Sequence, residues 1–309
     1  MTTGELRRAL EADPVGLPPA ETESPARFSD GLRYRIEIPS CEGPEVLRAV
    51  LDEAAMRSVP LRRVSQGSGV WMLTDAELAD FARLGAEHRI EVSLFLGPRG
   101  AWDTGGQSLV TAAAGGVARG LDAVAWCVAE ARRGARAGIR SFLVADLGVL
   151  DVLGRLRNAG ELPRNLVLKT SVLLPAANAA SARVLEDLGA STINVATDLG
   201  ISHLAEIRAA TSCPLDVYVE VPDDQGGFVR FYEVPDIIRS VAPVYIKLGV
   251  RNAPNIYPSG RHLVESACAL GRERVRRAEL CLNIVKSLAP ELMEGGGDPA
   301  PADLGIPEV

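Results

Sequence analysis

This chain predicts an α/β fold, a (β/α)8 TIM barrel preceded by an N-terminal arm and closed by a long C-terminal helix. Two observations carry the prediction. Residues 139–198 contain three short apolar runs (141–145, 166–168 and 192–195) that end in polar residues: Asp146, Lys169, and Asn194 through Asp198. Helical patterns lie between them, and strand, polar tip, helix is the repeat of a parallel sheet. The same unit can then be counted eight times along the sequence, within about 255 residues, the usual size of such a barrel. No Gly-x-Gly-x-x-Gly follows the first strand, which disfavours a doubly wound sheet.

Residues 1–30 are rich in Pro, Glu, Thr and Ala, with four prolines between Asp13 and Ser29, and read as an arm or linker. The barrel is expected over 31–290. Its first strand is 34–38, and the helix after it, 44–56, opens on Pro44, whose fixed φ and missing N–H suit a first helical position. The second strand, 62–65, runs into Gln66-Gly67-Ser68-Gly69. The next helix starts at Thr74-Asp75-Ala76-Glu77, a capping-box pattern, and reaches His88. After strand three (91–96) comes a Gly-rich loop, 97–120, holding Arg99, Trp102 and Asp103, a candidate lid. Helix 122–136, strand 141–145, helix 149–158 and strand 166–170 follow. Helix 179–188 stops at Gly189, a C-cap residue. Strand 192–195, helix 202–211, strand 215–221, helix 235–240 and strand 244–248 complete the alternation. A long amphipathic helix spans about 261–288. Residues 291–309, with GGGDPAPADLGIPEV at their end, read as a flexible tail.

The totals exclude several classes. A net charge of −7 gives no electrostatic support for nucleic-acid binding. No apolar run reaches the roughly 18 residues of a membrane span, and the first residues lack a secretory apolar core. The five cysteines are scattered, without CxxC, as expected of reduced thiols in a cytoplasm. That spacing makes an iron–sulfur or zinc site unexpected. The expected partner is a small molecule, and the arm and last helix are candidate surfaces for a homo-oligomer.

At Val144-Ala145-Asp146-Leu147-Gly148-Val149-Leu150 the chain resembles U32-type peptidase barrels at a fourth strand and the start of its helix. The resemblance continues through 166–178, where Lys169 stands at the family's histidine, Ser171 at its serine and Asn178 at its asparagine. It extends over Val184–Ala190 and Ala196–Leu199, and in all covers about residues 139–210. It implies a barrel fold and, by the family's name, an amide or peptide hydrolase. The family's His-Gly-Ala-(Leu/Met)-Cys signature is absent: the seventh strand reads Tyr218-Val219-Glu220-Val221-Pro222-Asp223-Asp224. Neither the iron–sulfur cluster nor the hydroxylase role of some members carries over.

Strand parity selects candidate site residues, because alternate residues face opposite sides. Tyr245, Lys247, Gly249 and Arg251 share one face of the eighth strand, Asp216, Tyr218 and Glu220 one face of the seventh, and Arg33, Arg35 and Glu37 one face of the first. Helices cover the outside, so these polar faces point inward. Only three of the 33 basic residues are lysine: Lys169, Lys247 and Lys286. A lysine becomes a nucleophile toward carbonyls when desolvation or a neighbouring cation lowers its pKa. Lys169 and Lys247 are therefore expected to carry lyase-type chemistry, with Asp146 or Glu37 moving protons and Glu220 as a further catalytic candidate. Lys169-Thr170-Ser171 is also similar to the lysine strand of deoxyribose-phosphate-type class I aldolases. The bland alternative is a buried ion pair such as Glu220–Lys247 that only holds the barrel. Gln66, Ser68, Arg99, Ser171, Asn194, Asp198, Arg251 and Asn252 are candidate substrate contacts. Gln66–Gly69 and Gly249–Asn252 are read as anion loops. No cofactor is assigned. Glu37, Asp146, Glu220, Asp223 and Asp224 make Mg²⁺ or Mn²⁺ the alternative, since hard cations take carboxylates. A hydrolase and a non-catalytic binding barrel remain the rival functions.

Overall fold

The computed structural model describes residues 23–97, 115–293, 297–298 and 301–309. Eight strands alternate with eight helices among these residues: β1 Tyr34–Ile38, α1 Pro44–Met56, β2 Leu61–Gln66, α2 Asp75–His88, β3 Glu91–Phe95, α3 Gly120–Arg136, β4 Ser141–Val144, α4 Leu147–Asn158, β5 Val167–Thr170, α5 Ala179–Asp187, β6 Ile193–Asn194, α6 Ile201–Ala210, β7 Leu215–Glu220, α7 Val234–Val241, β8 Val244–Leu248 and α8 Val264–Leu288. The strands pair in parallel in the order β5-β4-β3-β2-β1-β8-β7-β6. A parallel bridge from Lys169 to Thr192 joins the two ends, closing the (β/α)8 barrel.

Outward positions of the wall are apolar. Ile36, Val64, Leu94, Phe142, Leu168, Val217 and Ile246 are buried in the one large core between wall and helices. Inward positions carry Arg35, Glu37, Arg63, Glu91, Lys169, Asp216 and Lys247, all buried. Burying charge costs several kcal/mol per ion unless it is paired. The interior therefore has to be a network, and it is one.

Local chemistry supports the elements. Thr74 accepts from the Glu77 N–H, and the Glu77 carboxylate accepts from the Thr74 N–H at 2.8 Å, completing the capping box. The expected lid falls largely on residues 98–114, outside the described residues. The tail differs from expectation. Residues 301–309 lie packed across the N-terminal end of the barrel: Leu304 is buried with Phe28 and Tyr245, Arg35 donates to Asp303 Oδ1 at 2.9 Å, and Arg140 meets Glu308 at 2.8 Å. The Gly305 N–H donates to Glu91 Oε2 at 3.3 Å. Composition reads this Pro- and Gly-rich stretch as loose, but unpaired inward charges at the barrel floor give it partners. Residues 23–30 help close the same end, with Phe28 stacked under the Arg35 guanidinium at 4.0 Å.

Candidate active site

Besides Arg35, which pairs with Asp303 at the floor, the barrel interior holds three buried carboxylates, Glu37, Glu91 and Asp216, against three buried cations, Arg63, Lys169 and Lys247. Register places them at similar depth: Glu37 pairs with Arg63 on one side and Lys247 on the other, and Arg63 with Glu91. Lys169 Nζ donates to Glu37 Oε2 at 2.9 Å and to Asp216 Oδ2 at 2.6 Å. Arg63 Nη1 donates to Asp216 Oδ1 at 2.8 Å and to Glu37 Oε2 at 3.2 Å. Its Nε lies 2.9 Å from Glu91 Oε1 as an ion pair, without the alignment of a hydrogen bond. Its guanidinium carbon is 3.3 Å from the Tyr245 ring centroid.

Burial alone would push the Glu37 carboxyl up, but Lys169, Lys247 and Arg63 outweigh it and hold it well below the ordinary carboxylate range. Lys169 moves the other way. Loss of solvent lowers it, Asp216 and Glu37 offset that in part, and the cations Lys247 and Arg63 add to the fall, leaving it at about 8.

A cavity of about 290 Å³ opens above this network at the C-terminal end, where barrel enzymes hold their sites. Lys247 lines it, whereas Lys169 does not. Lys247 Nζ donates to Asn194 Oδ1 at 2.8 Å, stands 3.6 Å from Glu37 Oε1, and lies 4.2 Å above the Tyr218 ring. Tyr218 lines the same cavity, and burial first, then the Glu37 charge, pushes its phenol up so that it stays a proton donor. Ser65, Gln66 and Ser171 add hydroxyl and amide groups to the wall.

The other expected site residues are distributed as follows. Asn194 is buried and orients Lys247. Ser171 reaches the cavity, where its hydroxyl accepts from the Leu173 N–H at 3.2 Å. Asp146 is the N-cap of α4: it accepts from the Val149 N–H at 2.9 Å and the Ala118 N–H at 3.1 Å. Its role in the Ala-Asp-Leu-Gly stretch is thus to start a helix. Glu220 turns out of the barrel. The β7–β8 register shifts after Tyr218, which pairs with inward Lys247, so that Glu220 pairs with outward Leu248; its carboxylate accepts from the Arg251 N–H at 3.0 Å and faces Arg277 at 3.7 Å. The Glu220–Lys247 pair therefore does not form. Asp198 is exposed, and Arg99 lies outside the described residues.

Both expected anion loops are occupied from within. The Gly67 and Ser68 N–H groups donate to the Glu42 carboxylate at 2.8 and 2.9 Å, and the Ser68 hydroxyl donates to it as well. Gln66 clamps the turn through Gly69 at 3.0 and 3.1 Å. Arg251 is exposed and pairs with Asp223 at 2.9 Å, while the Asn252 N–H donates to the same carboxylate. Gly249 marks a close approach of chains, since a Cβ there would sit 2.7 Å from the Glu220 carbonyl oxygen. The carboxylates named for Mg²⁺ or Mn²⁺ are thus spread over four places. Among the described residues no three His, Cys, Asp or Glu are grouped to hold a metal ion. Cys41 is buried and its thiol is pushed well up, first by burial.

Two polar lining residues are not among the expected site residues. Tyr218 carries the correct parity but no motif. Arg274 reaches the cavity from α8, outside the barrel wall. Its signal is its register, because Ala267, Gly271, Arg274, Val275 and Ala278 form the buried face of that helix.

Residues 124–221 match the model of Peptidase family U32, less than half of the chain. No curated protein matches the sequence. Among solved structures, a U32 peptidase is 16% identical, with 74% of this chain and 96% of that one covered and a TM-score of 0.40. A truncated 3-deoxy-D-arabino-heptulosonate 7-phosphate synthase from Thermotoga maritima is 15% identical, with 88% and 94% covered and a TM-score of 0.43. A 3-hexulose-6-phosphate synthase is 15% identical, with 79% and 97% covered and a TM-score of 0.38. From α3 to the end of β7 this chain is thus similar to Peptidase family U32, and as a whole it folds as a (β/α)8 barrel.

Proposed function

We propose that this barrel is an enzyme acting on a small polar metabolite that bears a carbonyl, by lyase-type chemistry on Lys247. One observation carries the reading: Lys247 lines the cavity at the C-terminal face, whereas Lys169 is held beneath it by Glu37 and Asp216. In this reaction the Lys247 amine adds to the substrate carbonyl carbon. The carbonyl oxygen takes one proton from the attacking nitrogen and a second from Tyr218, kept protonated, and leaves as water, while the nitrogen keeps its other proton and Tyr218 is left as phenolate. The resulting protonated imine draws the electrons of a neighbouring carbon–carbon bond toward its nitrogen. Lys169 and Glu37 fix the charge beneath Lys247 and are positioning residues. The partner in this reading is a small molecule, and no helix among the described residues is long and apolar enough to cross a membrane.

A panel of β-hydroxycarbonyl compounds, with released carbonyl captured by a hydrazine reagent, tests this. Turnover by the wild type that falls at least about a hundredfold in Lys247→Ala is expected, that being the scale of a lost catalytic group. Turnover unchanged in Lys247→Ala contradicts it. The U32 match favours a second reading, an amide or peptide hydrolase. Peptide cleavage that chelators abolish, with no product from the carbonyl panel, is the result that would select it.

A further inference from the structure

We infer that Arg274 is an anion receptor in the wall of this cavity, so that the ligand carries a carboxylate or phosphate group. The inference rests on the reading of the cavity as a substrate site and adds the charge class of what enters it. Arg274 stands on α8, lines the cavity and is 4% exposed. Its Nε and Nη1 are buried without a hydrogen-bond partner. Arg63 and Arg230 also leave buried nitrogens unmatched, but each is ion-paired elsewhere, to Glu91 and Glu233 among others. Arg274 has no carboxylate within ion-pair distance among the described residues. Its charge is felt by Cys41, Tyr218 and Tyr257, groups that burial holds in their neutral forms. A guanidinium cannot shed its proton in a protein, and an unpaired buried cation is expensive to hold. An arriving anion resolves that cost through charge-assisted hydrogen bonds. The two nearby backbone loops do not compete for this role, because Glu42 and Asp223 already fill them. Lys247 lies on the same cavity wall, which places the carbonyl chemistry and the anion contact in one compartment.

The test titrates the full chain with sodium pyruvate and, separately, with inorganic phosphate by calorimetry. Selective ¹⁵N-arginine labelling follows the Arg274 Nε–H resonance, assigned by its absence from Arg274→Gln. Saturable binding of one probe that shifts this resonance and weakens about tenfold or more in Arg274→Gln is expected. Whichever of the two binds then names the anion. Arg274→Lys, which keeps the charge but loses the fork, is expected to bind with intermediate affinity, and it serves as the variant if Arg274→Gln fails to fold. Absence of saturable binding of both probes, or affinity unchanged in the variants, overturns the inference. Borohydride trapping with acetaldehyde, a neutral carbonyl, separates the two proposals. It should be insensitive to Arg274→Gln if Lys247 forms imines. No trapping, with anion binding intact, removes the lyase reading and leaves the receptor standing.

Discussion

Lys169 and Lys247 share parity, polarity and neighbours, yet their environments differ. Lys169 is fully enclosed and neutralises two carboxylates, whereas the nearest partner of Lys247 is the neutral Asn194 amide and the residue lines the cavity. Replacing Lys169 by Met leaves three interior carboxylates with two cations. Breaking a buried pair costs about 3–5 kcal/mol, so the urea midpoint of Lys169→Met is expected to fall strongly. Lys247→Met loses the Asn194 hydrogen bond, worth about 1.5–3 kcal/mol for a charged donor, and a longer 3.6 Å ion pair to Glu37, and its urea midpoint should fall less than that of Lys169→Met. Equal losses in the two variants would contradict this division. Strand-end placement for Lys169 and strand parity for Lys247 were enough to find both lysines. They could not tell which one opens to the cavity, because that depends on how the stagger of the barrel sets the height of each strand.

At the scale of elements, the candidate residues that left the site did so for local reasons. Asp146 caps α4, so Asp146→Ala is expected to cost about 1 kcal/mol in thermal or urea unfolding while ligand binding at Lys247 is unchanged. Glu220 rotates outward at a register shift, which no alternation rule can see. Gln66–Gly69 does form an anion-binding turn, as its composition suggests, but the anion is the side chain of Glu42. The tail was misread because its partners lie far away in sequence. Removing residues 301–309 exposes Arg35 and Glu91 and loses the buried Leu304. Burial of one leucine is worth about 2 kcal/mol, so the truncated chain is expected to melt well below the full one. An unchanged melting temperature would show that the floor closes without it.

Over the whole molecule, alternation of apolar and polar residues was sufficient for the barrel, its eight strands and most helix ends. The charged interior gives the fold its pH dependence. Glu37 titrates in the folded chain well below its ordinary value of 4.5. Between those two values the unfolded chain binds the proton and the folded chain does not, so stability from Glu37 is present above that range and drains away as pH falls. Glu37→Gln is expected to be less stable near neutrality and to show a flatter acid limb in urea midpoints taken from pH 6 to 3. A limb as steep as that of the wild type would mean that other carboxylates dominate acid unfolding.

The central claim is that Lys247, and not Lys169, meets the substrate. Borohydride reduction of the wild-type chain with pyruvate, followed by peptide mapping of the modified lysine, tests it most directly. The account predicts an adduct on Lys247 with Lys169 unmodified. An adduct on Lys169 with Lys247 unmodified would contradict it.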